Sequence, residues 1–419
     1  MPGARSGERS ARSDCSRTNS DPSEPPSIPF RGPLRVLPSF VPPEQSFGGH
    51  VRAAVYYGNR DLRIEEAPEP VAGIGDLLLR VGAAGICGTD AAEYAVGPHM
   101  FPIAQPNPRT GHVGPMIPGH EIAGVVAAVG EGVEGFAIGD LVVTGAGVSC
   151  GSCERCIEGR TNLCERYATV GLQRHGGLAQ YVAVPAATCV LAPAGLALDA
   201  AALGQPMAIA VHSMRQGSPR PGELALVIGV GGIGAFLTYA LAAGGLRVVV
   251  ADLDDSRLEI ARSLGASASI RPDVTPLVST VREIAGDPDV VYEVTGTAEG
   301  FGAAFEAVRV GGRVVAVGLH EHAREVDLRS LTLRELSIHG TNAHVVGVDL
   351  PEALRLLAAR EASWSDVAPV ALGLDRLVGD GLEPLAQGRS TRIKTLVDPW
   401  VDGSRPTLMD VKEAHADAI

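Results

Sequence analysis

The chain has 419 residues, of which 45% are hydrophobic and 20% charged. That length and balance allow two domains with a sizeable buried core. The net charge of −13 argues against nucleic acid or an anionic membrane as partner and favours solubility.

The first fifty residues stand apart. The stretch "ARSDCSRTNSDPSEPPSIPF" is Ser, Pro and Arg with almost nothing to bury, so residues 1–50 are expected to be a disordered extension. It lacks an apolar run before a cleavage site, so no secretory signal is read and the expected location is cytoplasmic. Cys15, within it, is given no role. The ordered pattern begins at "VRAAVYYG", with Val51.

Next, "AAGICGTDAAEY" sets Cys87 after an apolar strand and before Gly88, Thr89 and Asp90. Alone, Cys87 reads as a buried cysteine. Further on, "IPGHEIAGVVAAVGEGV" places His120 and Glu121 at the start of an alternating apolar strand, where core residues would serve better. A thiolate, an imidazole and a carboxylate can together form an open zinc site that keeps one place for water or substrate.

In "GVSCGSCERCIEGRTNLCER", Cys150, Cys153, Cys156 and Cys164 follow the spacing C-x2-C-x2-C-x7-C. Seven cysteines and no signal sequence argue against a disulfide framework. Four thiolates around one small volume suit a closed, tetrahedral structural zinc. An iron–sulfur cluster is the competing reading, but nothing else in the chain suggests electron transfer. Cys189, in an apolar strand-like run, reads as a small buried hydrophobe.

From Leu224 to Leu246 no residue is charged. The length alone would suggest a membrane helix, but the glycines of "VIGVGGIGAF" break it into a strand, a turn and a helix. Gly229, Gly231 and Gly234 make G-x-G-x-x-G: one for the tight turn, one for backbone approach to a pyrophosphate, one for close helix–strand packing. Gly232 and Ile233 lie within that turn, where the pyrophosphate meets the helix N-terminus. Asp252 closes the next strand. Its carboxylate would accept hydrogen bonds from a ribose and repel a 2′-phosphate, which favours NAD over NADP. Arg257 is counted among the cofactor contacts. Later strands, "DVVYEVTG", "GRVVAVG" and "LSIHGTN", alternate with helical stretches and predict a parallel sheet covered on both faces. Thr295, Gly296, Val317 and Gly318 fall at strand ends, either as neighbours of the nicotinamide half or as ordinary strand-end turns.

With these motifs in this order, the chain resembles the zinc-dependent medium-chain alcohol and polyol dehydrogenases over about Val51–Pro399. The segment "DAAEYAVGPHMFPIAQPNPRTGHVGPMIPGHE" is most similar to the 2,3-butanediol dehydrogenase group. The resemblance implies an α/β chain: a GroES-like, mainly-β catalytic domain (51–207 and 346–399) and a Rossmann, doubly wound parallel sheet (208–345), with 400–419 as a tail. It implies an active site in the cleft between them, two Zn²⁺ and NAD per chain, and a homo-oligomer, dimer or tetramer.

Carried over residue by residue, the resemblance makes Cys87 and His120 catalytic zinc ligands and Glu121 a ligand or exchanging neighbour. It makes Thr89 the hydroxyl that passes the substrate proton. Two positions depart from the pattern. Gln205, in "LGQPMAIAVH", stands where a Glu ligand is frequent and is counted among the catalytic zinc ligands, since an amide oxygen can coordinate zinc; Ala92 stands where many members carry a relay His. Water, a cofactor ribose hydroxyl, Glu93 and His112 remain as routes for the proton. The expected activity is hydride transfer from a secondary alcohol, diol or polyol to NAD⁺. An aldose or cyclitol dehydrogenase, or a non-catalytic homologue, are the alternatives.

Overall fold

The computed structural model describes residues 49–409. The expected disordered extension, apart from its last two residues, lies outside them, as do Cys15 and the last ten residues of the expected tail. His50 already opens the first strand.

β1 (His50–Gly58) and β2 (Asp61–Pro68) form an antiparallel hairpin. The first, mixed sheet is built on β3 (Asp76–Gly85), β4 (Glu121–Val129) and β5 (Leu141–Thr144). Along β3, Leu77, Leu79 and Val81 are all fully buried at a period of two, which fixes the face that meets the core. Short strands β6 (Gly147–Val148) and β7 (Ala168–Thr169) pair at the neck of the four-cysteine lobe. β8 (Tyr181–Pro185) pairs with β3, and β9 (Cys189–Leu191) with β5. Cys189 is buried, as expected for a small hydrophobe.

The second sheet holds β10 (Leu224–Ile228), β11 (Arg247–Ala251), β12 (Ala268–Ile270), β13 (Val290–Glu293), β14 (Arg313–Ala316) and β15 (Ser337–Gly340). All its pairings are parallel, in the order β12-β11-β10-β13-β14-β15. Every residue of β10 is buried. Ala225 and Val227 enter one apolar cluster, while Leu224, Leu226 and Ile228 enter another on the opposite face. A central strand covered on both sides has to read as an unbroken apolar run. The uncharged Leu224–Leu246 stretch is thus a strand, a turn and the helix Gly232–Ala243. Among the described residues no helix is long and apolar enough to cross a membrane.

The helices Gly204–Gly217 and Val346–Ala359 pack together within the larger apolar cluster. The chain then returns to the first sheet through β16 (Val370–Leu372), β17 (Leu396–Val397) and β18 (Ser404–Pro406). A tail was expected from residue 400, but β18 pairs antiparallel with β16. Its anchor is Arg405, whose guanidinium donates to Asp199 at 2.6 Å and Asp398 at 2.8 Å. Beyond it, Met409 joins the core.

A candidate metal pocket beside a dinucleotide cradle

Register brings the first group of predicted residues together. The end of β3 lies beside the start of β4, with Gly85 opposite Glu121. Two residues past Gly85, Cys87 caps the helix Gly88–Val96, and its N–H donates to Asp90 Oδ2 at 2.9 Å. Ligand atoms of Cys87, His120 and Glu121 all lie within 4.8 Å of one another. Thr89 Oγ1 is 3.8 Å from Cys87 Sγ. Gln205 sits in the first turn of its helix, whose Gly204 abuts Val143 of β5, and Val143 pairs with Ala123.

The pocket holds polar atoms without partners. Asp90 Oδ1, His120 Nδ1 and Gln205 Oε1 are buried and make no hydrogen bond. Asp90 Oδ1 faces His120 Nδ1 at 3.6 Å, too far for a hydrogen bond but close enough to act on its charge. Burial opposes charge on His120, yet Asp90 and Cys87 outweigh it and hold its pKa well above the ordinary value. A buried acceptor left open in an electronegative pocket, as Gln205 Oε1 is, is what a bound cation satisfies. A thiolate, an imidazole and an amide or carboxylate oxygen are suitable zinc ligands.

Sequence reasoning missed Lys394. Its side chain is 5% exposed, and Nζ donates to Glu121 at 2.6 Å and to the Ile86 carbonyl at 2.9 Å. Burial opposes its charge too, but Glu121 and then Cys87 raise its pKa. The available signal was a lone lysine inside the apolar run "RIKTLV". Both substitutes considered for the relay are tied up in loop structure. The Glu93 carboxylate accepts from the N–H groups of His99 (2.9 Å) and Met100 (2.6 Å). His112 Nε2 is 3.1 Å from the Pro115 carbonyl, with its ring edge-on to His175. Ala92 is exposed.

The four-cysteine lobe passes a sharper geometric test. Sulfur–sulfur separations are 3.9 Å for Cys150–Cys156, 3.5 Å for Cys153–Cys156 and 3.9 Å for Cys153–Cys164. Four sulfurs at about 2.3 Å from a tetrahedral ion stand about 3.8 Å apart. Thiolates bound to different irons of a cluster stand farther apart. Backbone N–H groups of Ser152 and Cys153 point at Cys150 Sγ. Burial opposes ionisation of Cys150, but these donors and Arg166 bring its pKa down to about 5.

The cradle follows β10. Gly229 has φ of +96°, a left-handed conformation that favours glycine. A Cβ on Gly234 would lie 1.9 Å from the Gly229 carbonyl oxygen, so the helix packs as closely as a bare backbone allows. Gly231, the N-cap, has open space beside it. Gly232 faces the Lys394 stem, with Cδ 3.4 Å from where its Cβ would be, and Ile233 packs against the core. Asp252 Oδ2 accepts from Val230 N–H at 2.7 Å, holding the carboxylate over the turn. Arg257 donates to the Ser390 carbonyl at 2.9 Å, and its buried Nε is unpartnered.

Thr295, Gly296, Val317 and Gly318 meet at the carboxyl ends of β13 and β14. The organiser is Glu293, another residue the motifs did not expose, which is fully buried. Its carboxylate accepts from Thr295 N–H at 2.7 Å and Gly296 N–H at 3.0 Å, and lies 3.1 Å from His320 Nε2. Its backbone carbonyl accepts from Val317 and Gly318.

A pocket suited to a cation, reached by one lysine side chain from a turn suited to a pyrophosphate, defines a metal-assisted dehydrogenase. Family models agree: the alcohol dehydrogenase GroES-like domain matches residues 73–194 and the zinc-binding dehydrogenase model matches residues 232–359. The chain belongs to this family and is an oxidoreductase. It is 30% identical to the (R,R)-butanediol dehydrogenase of Neisseria gonorrhoeae (strain ATCC 700825 / FA 1090), over 83% of this chain and 99% of the relative. It is 33% identical to the 2-dehydro-3-deoxy-L-galactonate 5-dehydrogenase of Pseudoalteromonas atlantica (strain T6c / ATCC BAA-1087), over 76% and 92%. The crystal structure of Bacillus subtilis 2R,3R-butanediol dehydrogenase superposes with a TM-score of 0.77 at 30% identity, covering 83% of this chain and 99% of that one.

Proposed function

We propose that this protein oxidises a secondary alcohol of a diol or polyol with NAD⁺, reversibly, using one catalytic and one structural zinc per chain. The observation that supports it most is the β3–β4 register, which delivers Cys87, His120 and Glu121 to one buried pocket containing unpartnered polar atoms. Cys87, His120 and Gln205 would hold the catalytic ion, with Glu121 beside it as an exchanging neighbour. Cys150, Cys153, Cys156 and Cys164 would hold the structural one. When bound, zinc supplies Lewis acidity toward the alcohol oxygen, and the nicotinamide accepts the hydride.

The residues divide the remaining work. Asp90 faces Nδ1 of His120 and so leaves Nε2 for the ion, as a carboxylate behind a ligating imidazole does. Gln205 brings no charge, so the pocket keeps more net positive charge than with a carboxylate there. Thr89 takes up the alcohol proton, and the exposed position of Ala92 lets water carry it onward. Asp252, with its carboxylate fixed over the turn, selects against a 2′-phosphate. Glu293 pins the two turns that border the nicotinamide half. Diol and sugar-acid dehydrogenases among the relatives support a hydroxyl-rich substrate.

The test is Cys87→Ser. It is expected to abolish dinucleotide-dependent turnover across a panel of diols, polyols and cyclitols while far-UV circular dichroism and NAD binding persist. Full activity in that variant overturns the assignment.

A further inference from the structure

The four-cysteine lobe does more than close on itself. Between Cys156 and Cys164 it carries Asn162, which is 5% exposed. Both amide protons of Asn162 have acceptors outside the lobe: the Asn342 carbonyl at 2.7 Å and His212 Nε2 at 3.3 Å. Asn342 returns the contact, its amide donating to the Asn162 carbonyl at 3.1 Å. His212 is a fixed acceptor, because its other nitrogen, Nδ1, donates to Asp349 at 2.8 Å. Asp349, fully buried, also accepts from Val345 N–H at 2.7 Å and from Arg215 at 2.8 Å.

These bonds converge on Thr341–Val345, the segment between the carboxyl end of β15 and the helix Val346–Ala359. It is the end of the sheet at which dinucleotides bind. The segment is under constraint: Ala343 has φ of +47°, and the His344 ring presses on Gly145, where a Cβ would lie 2.6 Å from Cε1. Gly145 directly follows β5 of the catalytic sheet. The lobe, the catalytic sheet and the nucleotide domain therefore meet at these five residues.

We propose that the four-cysteine lobe is a latch between the two domains, with Asn162 as its positioning residue: it fixes Thr341–Val345 against Gly145 and thereby shapes the dinucleotide cleft. The consequence for the cofactor rests on the functional reading above; the latch itself does not. A disordered lobe would release Asn162, so loss of the lobe's metal is transmitted to the cleft without any contact between metal and cofactor.

The experiment uses the full-length, zinc-loaded protein and compares Asn162→Ala with Arg160→Ala, an exposed neighbour in the same lobe. Asn162→Leu is the second variant, which keeps roughly the side-chain volume but donates nothing, should Asn162→Ala fail to fold. Both Asn162 variants are expected to keep their zinc content and to show faster amide hydrogen exchange confined to 341–346. NAD dissociation constants, read by fluorescence quenching, are expected to rise about tenfold for the loss of buried hydrogen bonds. Turnover at saturating NAD should change less than about twofold, since no catalytic group is moved. Arg160→Ala should match the parent in every readout. Unchanged exchange at 341–346, or an NAD affinity equal to that of Arg160→Ala, overturns the latch. If the parent protein binds no NAD, the functional reading fails, and the exchange measurement alone decides the latch.

Discussion

Replacing Lys394 by Met tests whether the pocket is organised by charge. Methionine keeps the apolar stem and removes the ammonium group that lies 2.6 Å from Glu121. The two side chains are 5% and 1% exposed, so neither can be rescued by water. Removing one member of a buried ion pair costs about 3–5 kcal/mol, because the other is left uncompensated. At roughly 2–4 °C per kcal/mol for a large domain, the thermal midpoint should fall on the order of 10 °C. Zinc in the neighbouring pocket would itself offset the Glu121 charge, so the fall should be larger in chelator-treated protein than in zinc-loaded protein. The double variant Glu121→Gln/Lys394→Met leaves no bare charge and should regain most of the loss. Differential scanning fluorimetry of the three proteins, with and without chelator, is the assay. A midpoint within about 2 °C of the parent for Lys394→Met, or a double variant no better than the single, would refute this account of the pocket.

Three further outcomes are expected. Burial, with His212 adding to it and Asp349 opposing, holds His344 down to about 4 against an ordinary 6.5. The unfolded chain therefore takes up a proton that the folded one refuses. This contribution is complete above pH 6.5 and is lost as pH falls toward 4, about 3 kcal/mol in all. His344→Gln should flatten the acid limb of urea midpoint against pH, and an unchanged slope would exclude His344 as its source. Asp252→Asn should narrow the preference for NAD over NADP by about tenfold or more, read as the ratio of kcat/KM values, because the repulsion of the 2′-phosphate is removed. A parent enzyme that uses both equally would contradict the role given to Asp252. Metal analysis should return about two zinc ions per chain. Cys150→Ser should lower the thermal midpoint strongly, whereas Cys87→Ser should lower it little. One ion per chain would mean that Gln205 marks a pocket that does not retain its metal.

What could be read from the chain was what neighbouring residues dictate. The four cysteines lie within one short loop, so their spacing states their geometry. The turn from Gly229 to Gly234 is likewise local: Gly229 takes a left-handed φ, and a Cβ on Gly234 would strike the Gly229 carbonyl. His120 and Glu121 were legible because they open an apolar alternation where core residues would serve better, and Cys87 only beside them; β3 and β4 then supply the register. Lys394, Glu293 and Asn162 were not legible, because their meaning lies in partners far along the chain. Lys394 meets Glu121, Asn162 meets Asn342, and Glu293 meets His320. No periodicity reports such pairs. The strand Ser404–Pro406 escaped for another reason. Three residues are too few to show an alternation, and what holds them is Arg405 between Asp199 and Asp398.

The discontinuity of the catalytic domain has a physical reason in the same place. β17 pairs with the last residues of β3, Leu396 opposite Gly85 and Val397 opposite Ala84, and Ile86 N–H donates to the Thr395 carbonyl at 3.0 Å. The chain is thus returned, after the whole nucleotide domain, to the point where it first turned away to present Cys87. That pairing leaves Lys394 no position except beneath Glu121, with its stem against Gly232 of the cradle. A pocket that gathers Cys87, Asp90 and Glu121 is stabilised by a buried cation of the chain's own. The C-terminal segment supplies it from outside, and the same side chain spans from the candidate metal pocket to the turn that would carry the dinucleotide. Closing the sheet and joining the two sites are therefore one structural event, carried by Arg392–Val397.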